Sequence, residues 1–272
     1  MSLLDGRLVL ELLLLGSIGG FLAGLLGIGG GMILVPFTSW ILAGRGVEPG
    51  LALKMAIATS MAMILFTSIS SVRAHHRRGT VRWDLVRGLA PGIVGGGLLA
   101  GAGVFAMLRG QALGLVFGLF VALSATQMLL DRKPAPTRQM PGPGGRAAAG
   151  GVIGFVSGLV GAGGAFISVP FMTWCNVPIH NAVATSAALG LPIALANVSG
   201  YLIGGRGLDN PVPGSLGYLW LPGVALLASA SVLCAPLGAR MAYRMNVGQL
   251  RRAFALLLYG IAAHMLWKAV RG

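Results

Sequence analysis

Charge is scarce in this chain. Asp, Glu, Lys and Arg make up 10% of its 272 residues, where a soluble domain carries about a quarter. So little charge cannot cover a water-facing surface, and we expect an all-α integral membrane protein. Acidic residues number only six, which argues against a soluble enzyme built on carboxylates. Cysteine is nearly absent too. Cys175 and Cys234 form no CxxC or His/Cys cluster, so neither a metal site nor a disulfide framework is indicated. No nucleophile–base pair or Walker string appears, and the GxGG strings lack the strand that a dinucleotide fingerprint needs. We therefore expect no catalytic residues, no metal, no cofactor and no enzyme. With no nucleotide-binding domain, any energy coupling must use a proton or cation gradient, or a partner.

Apolar residues and glycine fill the space. The chain is 56% hydrophobic, with 45 glycines. Its net charge of +14 fits basic cytoplasmic loops of a membrane protein. No basic helix or aromatic-interleaved patch suggests nucleic acid. The apolar run after Arg7 lacks an A-x-A cleavage site, and we read it as a retained membrane segment.

Two near-copies of one glycine string organise the rest. GLLGIGGGMILVPF runs from Gly24 to Phe37, and GLVGAGGAFISVPF from Gly158 to Phe171. They align without a gap, with nine of fourteen positions identical. Ala58-Thr59-Ser60 recurs as Ala184-Thr185-Ser186, and Phe117, Leu119 and Met128 recur as Phe254, Leu256 and Met265. Three blocks in one order are an internal duplication. We assign 1–130 to a first membrane repeat, 131–146 to a polar Pro/Gly-rich cytoplasmic linker, and 147–272 to a second repeat. Each repeat holds roughly four apolar segments, the first broken at its glycine cluster.

Residues 8–43 are too many for one span of about 30 Å. In one arrangement the glycines tip a re-entrant hairpin, each half crosses three times, and the repeats are inverted. In the other, eight plain spans form parallel repeats. Both place 13 of the 20 Lys/Arg inside. The inverted arrangement also gathers all three dense clusters there: Arg73 to Arg87, Arg132 to Arg146 and Arg240 to Arg252. We favour it on that ground.

The glycines themselves admit two readings. Gly24/Gly27 and Gly158/Gly161 are spaced for close helix packing. Packing does not explain Gly29-Gly30-Gly31, nor Pro36 and Pro170 at equal distances behind each cluster. A broken helix explains both. A half-helix starting near Met32 or Phe166 would present free N–H groups and a positive dipole end, an anion site at mid-membrane. The expected shell is Gly29, Gly30, Gly31, Gly163 and Gly164, completed by Thr59, Ser60, Thr185 and Ser186. Asn197, Ser199, Ser70 and Ser71 are weaker candidates. Hydroxyls in apolar helices also bond back to their own backbone, so these residues carry a plain structural reading too. On this reading, leucine at Gly30 or Gly164 abolishes transport. Pro192 lies within an apolar helix and is expected to kink it. The Arg73-Ala74-His75-His76-Arg77-Arg78 run is read as a charged helix end, since adjacent histidines diverge on a helix. Glu11 is placed at the membrane boundary. His264, the one histidine deep in a clear span, is a packing residue or a proton relay.

The doubled glycine string, the doubled A-T-S and the Ala74-to-Trp83 loop (AHHRRG-x-V-x-W) resemble the sulfite exporter TauE/SafE family over nearly the whole chain. The resemblance implies a bacterial inner-membrane permease for sulfite, a sulfonate or a similar small sulfur oxyanion, usually moved outward. It implies partners limited to a small anion, the bilayer and a possible coupling ion, and it leaves the oligomer open. The second string departs at Ala162 and Ala165, so the two half-sites are not equivalent. A passive anion channel and a non-transporting membrane partner in cofactor or envelope assembly remain alternatives.

Overall fold

The computed structural model describes residues 5–26, 30–130, 138–208, 212–242 and 247–271. Among the described residues each half contributes five helices. In the first half these are α1 (Gly6–Leu26), α2 (Gly31–Ala43), α3 (Pro49–Arg77), α4 (Trp83–Met107) and α5 (Gly110–Leu130). In the second half they are α6 (Pro143–Val160), α7 (Ala165–Trp174), α8 (Ile179–Gly204), α9 (Leu221–Ala242) and α10 (Val247–Arg271). One two-stranded ribbon, Ser215–Leu216 against Leu219–Trp220, precedes α9. Seven described helices are long and apolar enough to cross a membrane: α1, α3, α4, α5, α8, α9 and α10. The protein is an all-α, multi-pass membrane protein.

Local chemistry sets the boundaries. Pro49 starts α3, and the Glu48 carboxylate caps it by accepting from the Gly50 and Leu51 N–H groups. Gly79, at φ +67°, follows its end. Helix α6 begins at Pro143, so the expected linker is already helical at Arg146. Pro143 supplies a fixed φ at the first helical position, which composition alone read as loop. Within α4, Leu99–Val104 forms a π-type turn, and Gly101 there meets Gly200 of α8.

The first helix of each half packs on the fourth helix of the other half. Gly16 and Gly20 of α1 lie against Leu227 and Ser231 of α9, while Gly150 and Gly154 of α6 lie against Leu89 and Ile93 of α4. Each pair is a small-xxx-small contact, in which the missing side chains let two backbones touch. Both pairings run parallel. By contrast the matching helices α5 and α10 run antiparallel: Gly114 sits beside Ala269, Gly118 beside Leu266, and the Thr126 and Tyr259 hydroxyls hydrogen-bond at 2.6 Å. Helices α3 and α8 are also antiparallel, with Gly190 against Ser68 and Asn181 donating to the Thr80 carbonyl. These two helices are central: 61% of each apolar window is buried, against 33–39% for the other five.

The α4–α6 contact predicts a sharp contrast. A Cβ at Gly92 would collide with the Ala147 carbonyl, whereas one at Gly95 meets nothing within 4 Å. Gly92→Ala should destabilise the protein by about 1–3 kcal/mol. Gly95→Ala should be neutral or stabilise it by up to about 1 kcal/mol through helix propensity. Thermal unfolding in detergent checks both, and equal effects would contradict the packing.

Candidate functional site

Both glycine strings break their helix. Helix α1 ends at Leu26 and α2 begins at Gly31; α6 ends at Val160 and α7 begins at Ala165. The two restarts fall at matching positions of the strings, within one residue of the expected Met32 and Phe166. Pro36 and Pro170 each stand sixth in their half-helix. After each break the chain doubles back, so that Gly30 meets Gly19 and Gly164 meets Ile153. Eleven residues of straight helix would hold these pairs about 16 Å apart. In the second half, left-handed Gly161 (φ +65°) and Gly164 (φ +73°) make the reversal, a conformation that favours glycine.

The two breaks meet. Gly31, the first residue of α2, lies directly against the Gly161 carbonyl. Ser60 Oγ donates to that same carbonyl at 3.3 Å. Gly161 also touches Ile57, and Gly163 faces Ile64, so the crossing sits at the middle of α3. Neither α2 nor α7 has a side-chain cap at its start. Two uncapped helix N-termini, each with a partial positive charge, therefore enter one buried region.

All four hydroxyls of the Thr-Ser pairs are at most 2% exposed, and Ser60 is the one that bonds at the crossing itself. Thr59 Oγ1 accepts from the Trp220 N–H at 3.2 Å, and Thr185 Oγ1 accepts from the Arg82 N–H at 3.1 Å. Trp220 directly precedes α9 and Arg82 directly precedes α4. Each half thus satisfies a backbone donor at the helix start of the other, and each threonine keeps its own hydroxyl proton to donate. Ser186 shares a 2.7 Å hydrogen bond with Ser168. Removing a hydroxyl and keeping its shape isolates these ties. Thr59→Val and Thr185→Val should each cost about 1–3 kcal/mol, because each leaves an N–H without its partner. Chemical unfolding of the purified variants measures this.

The remaining expected residues are placed as follows. Gly29 lies outside the described residues. Gly31 and Gly163 lie at the crossing, and Gly30 and Gly164 are the residues beside them at the two helix restarts. Gly163 is the roomiest of them: a Cβ there has no neighbour closer than 3.8 Å. At Gly30 a Cβ would press on the Gly19 carbonyl, and at Gly164 on Ile193. Leucine at either would therefore disturb packing as well as any ligand. Asn197 is fully buried between α6 and α8 and donates to the Gly154 and Ile193 carbonyls. Its Oδ1 has no protein partner and is an acceptor. Gly158 packs against it, in the role the outer glycines were expected to fill. Glu11 is partly exposed and paired with Arg7. His264 is not buried: it faces outward and meets Trp40 edge-on at 5.0 Å. Its depth along α10 was legible, but its face was not. Tyr201 and Ser168 were not anticipated. Tyr201 donates to the Gly158 carbonyl at the second break, and an aromatic in an apolar run gives no sign of such a bond.

Paired broken helices inside a multi-pass bundle are the architecture of a membrane transporter. The sulfite exporter TauE/SafE family model matches residues 12–265, and the chain belongs to that family. A probable membrane transporter protein of Haemophilus influenzae is 33% identical over 96% of this chain and 98% of its own length. Probable membrane transporter proteins of Methanocaldococcus jannaschii and Bacillus subtilis are 25% and 27% identical, each over at least 94% of both chains. No solved structure matches. The protein is a membrane transporter of the TauE/SafE type.

Proposed function

We propose that the chain is a secondary transporter of the bacterial inner membrane that exports a small sulfur-containing oxyanion, such as sulfite or an organosulfonate. The anion rests where the two glycine breaks cross. The observation that carries this reading is the meeting of the two breaks: the uncapped start of α2 at Gly31 lies against Gly161, four residues before the uncapped start of α7 at Ala165. Such ends stabilise an anion without a full counter-charge, so it can leave again. The Gly163 backbone and the hydroxyls of Thr59, Thr185 and Ser186 supply further donors, and Ser60 joins them when its proton leaves the Gly161 carbonyl.

We take the repeats as inverted, with α1–α2 and α6–α7 as re-entrant hairpins entering from opposite faces. Support comes from the antiparallel runs of the matching helices α5/α10 and α3/α8. Alternating access then does not move one sequence half against the other, because α1 is packed on α9 and α6 on α4. The moving bodies are mixed bundles, and the Thr59–Trp220 and Thr185–Arg82 ties lie between the halves. Flux of sulfite and short sulfonates into liposomes, with and without a pH gradient, tests the reading. Saturable flux that responds to the gradient supports a coupled transporter. Non-saturating flux indifferent to it would make the protein a channel.

A further inference from the structure

A second polar region lies outside the glycine crossing. A cavity of about 470 Å³ opens where α3, α5 and α10 come together. It lies at the end of α3 opposite to its basic terminus of His75, His76 and Arg77. Lys54, Arg109 and Lys268 line it, with Gln111 and Tyr218. Three cations from three helices or their starts are unusual in a chain this poor in charge. Intramembrane or boundary cations of this kind normally have a partner.

Among the described residues, none of the three forms an ion pair. Glu48 also lines the cavity; its carboxylate caps α3 at the Gly50 and Leu51 N–H groups and attracts Lys54 through space without a close ion pair, so the one negative charge stands against three positive ones. Lys54 is half-buried. Its Nζ donates one hydrogen bond, to the Ala106 carbonyl at 3.0 Å, and lies 5.5 Å from the Tyr218 ring centroid. An ammonium has three donors, so two remain. The carbonyl and the ring hold the head in place without neutralising it. Burial pushes the Tyr218 phenol up from its ordinary value, so the ring stays neutral beside it. Leu53 and Met265 add apolar wall, and Ser39 and Trp40 lie beside them.

The geometry points to a second anion subsite in this cavity, held by Lys54, Arg109 and Lys268 and suited to a small oxyanion with a short apolar part. Its volume is in the range of small-molecule sites, with apolar walls and a few convergent polar groups. Lys54 stands six residues before Ser60 on α3, about 9 Å along the helix. The cavity is therefore a waiting position on the route to the crossing. The inference rests on the transport reading above.

Ethanesulfonate and sulfite are the probes, titrated by calorimetry into the full-length protein in detergent and followed as flux in liposomes. Lys54→Gln and Lys268→Gln should each weaken ethanesulfonate binding roughly tenfold, the effect of one charge-assisted hydrogen bond. Lys54→Arg should keep most of it. The loss should shrink at high salt. Gly163→Leu should stop flux and leave this binding in place. If both Gln variants bind as the parent does while Gly163→Leu no longer binds, the subsite is wrong and the crossing alone holds the anion. If the parent neither binds nor moves either probe, the transport reading falls and the subsite with it.

Discussion

Leucine at Gly163 should bring anion flux down to the level of empty liposomes while the protein stays folded in the membrane. Gly163 is the one described glycine of the crossing with room around it: a Cβ added there would come no closer than 3.8 Å, to Ile64. Its φ is not left-handed, so a side chain is not strained there. An alanine methyl fits the space, and Gly163→Ala should keep its unfolding midpoint and most of its flux. A leucine fills the space in front of the α7 start, where the anion would accept its hydrogen bonds. Gly31→Ala is the useful contrast. Its methyl would strike the Gly161 carbonyl, so both stability and flux should fall. Flux and thermal unfolding measured together separate the two cases. Full flux through Gly163→Leu would place the path elsewhere.

The second large effect is one of sidedness. Cysteines introduced as Gly44→Cys and His180→Cys should react with an impermeant maleimide from opposite faces of the membrane. Gly44 ends the first half-helix and His180 follows the second, and both are exposed. The antiparallel packing of α5 on α10 and of α3 on α8 runs the two halves in opposite senses. Native Cys175 should contribute little background. It is buried, and burial pushes its thiol up, with Arg138 only partly opposing. Labelling of both sites from one face would restore eight plain spans with parallel repeats.

Much of this was legible from local chemistry. Consecutive glycines followed by a proline mark a helix break, and the breaks fall within a residue of the expected places. The duplicated A-T-S marks four buried hydroxyls, of which Ser60 bonds at the crossing and the two threonines tie the halves together. What local chemistry does not carry is the partner across the bundle. Thr59 and Trp220 are 161 positions apart, and Thr185 and Arg82 are 103 apart. Nothing in either neighbourhood says that a threonine of one half meets a helix start of the other. The same holds for Gly16, Gly20, Gly150 and Gly154, whose spacing suggests packing without saying against what. Lys54 is a single lysine in an apolar helix and was not anticipated as a site residue. Its meaning depends on Arg109 and Lys268, which only the fold brings near. His264 shows the converse: its depth could be read, but α10 turns it outward.

The central claim is that this chain moves a small oxyanion through the crossing of its two glycine breaks. The most direct measurement is flux of sulfite, sulfate, thiosulfate and short sulfonates into liposomes holding the purified protein, beside Gly163→Leu. The account predicts saturable flux of at least one sulfur oxyanion, lost in Gly163→Leu. No flux of any of them through the parent protein, or equal flux through the variant, would contradict it.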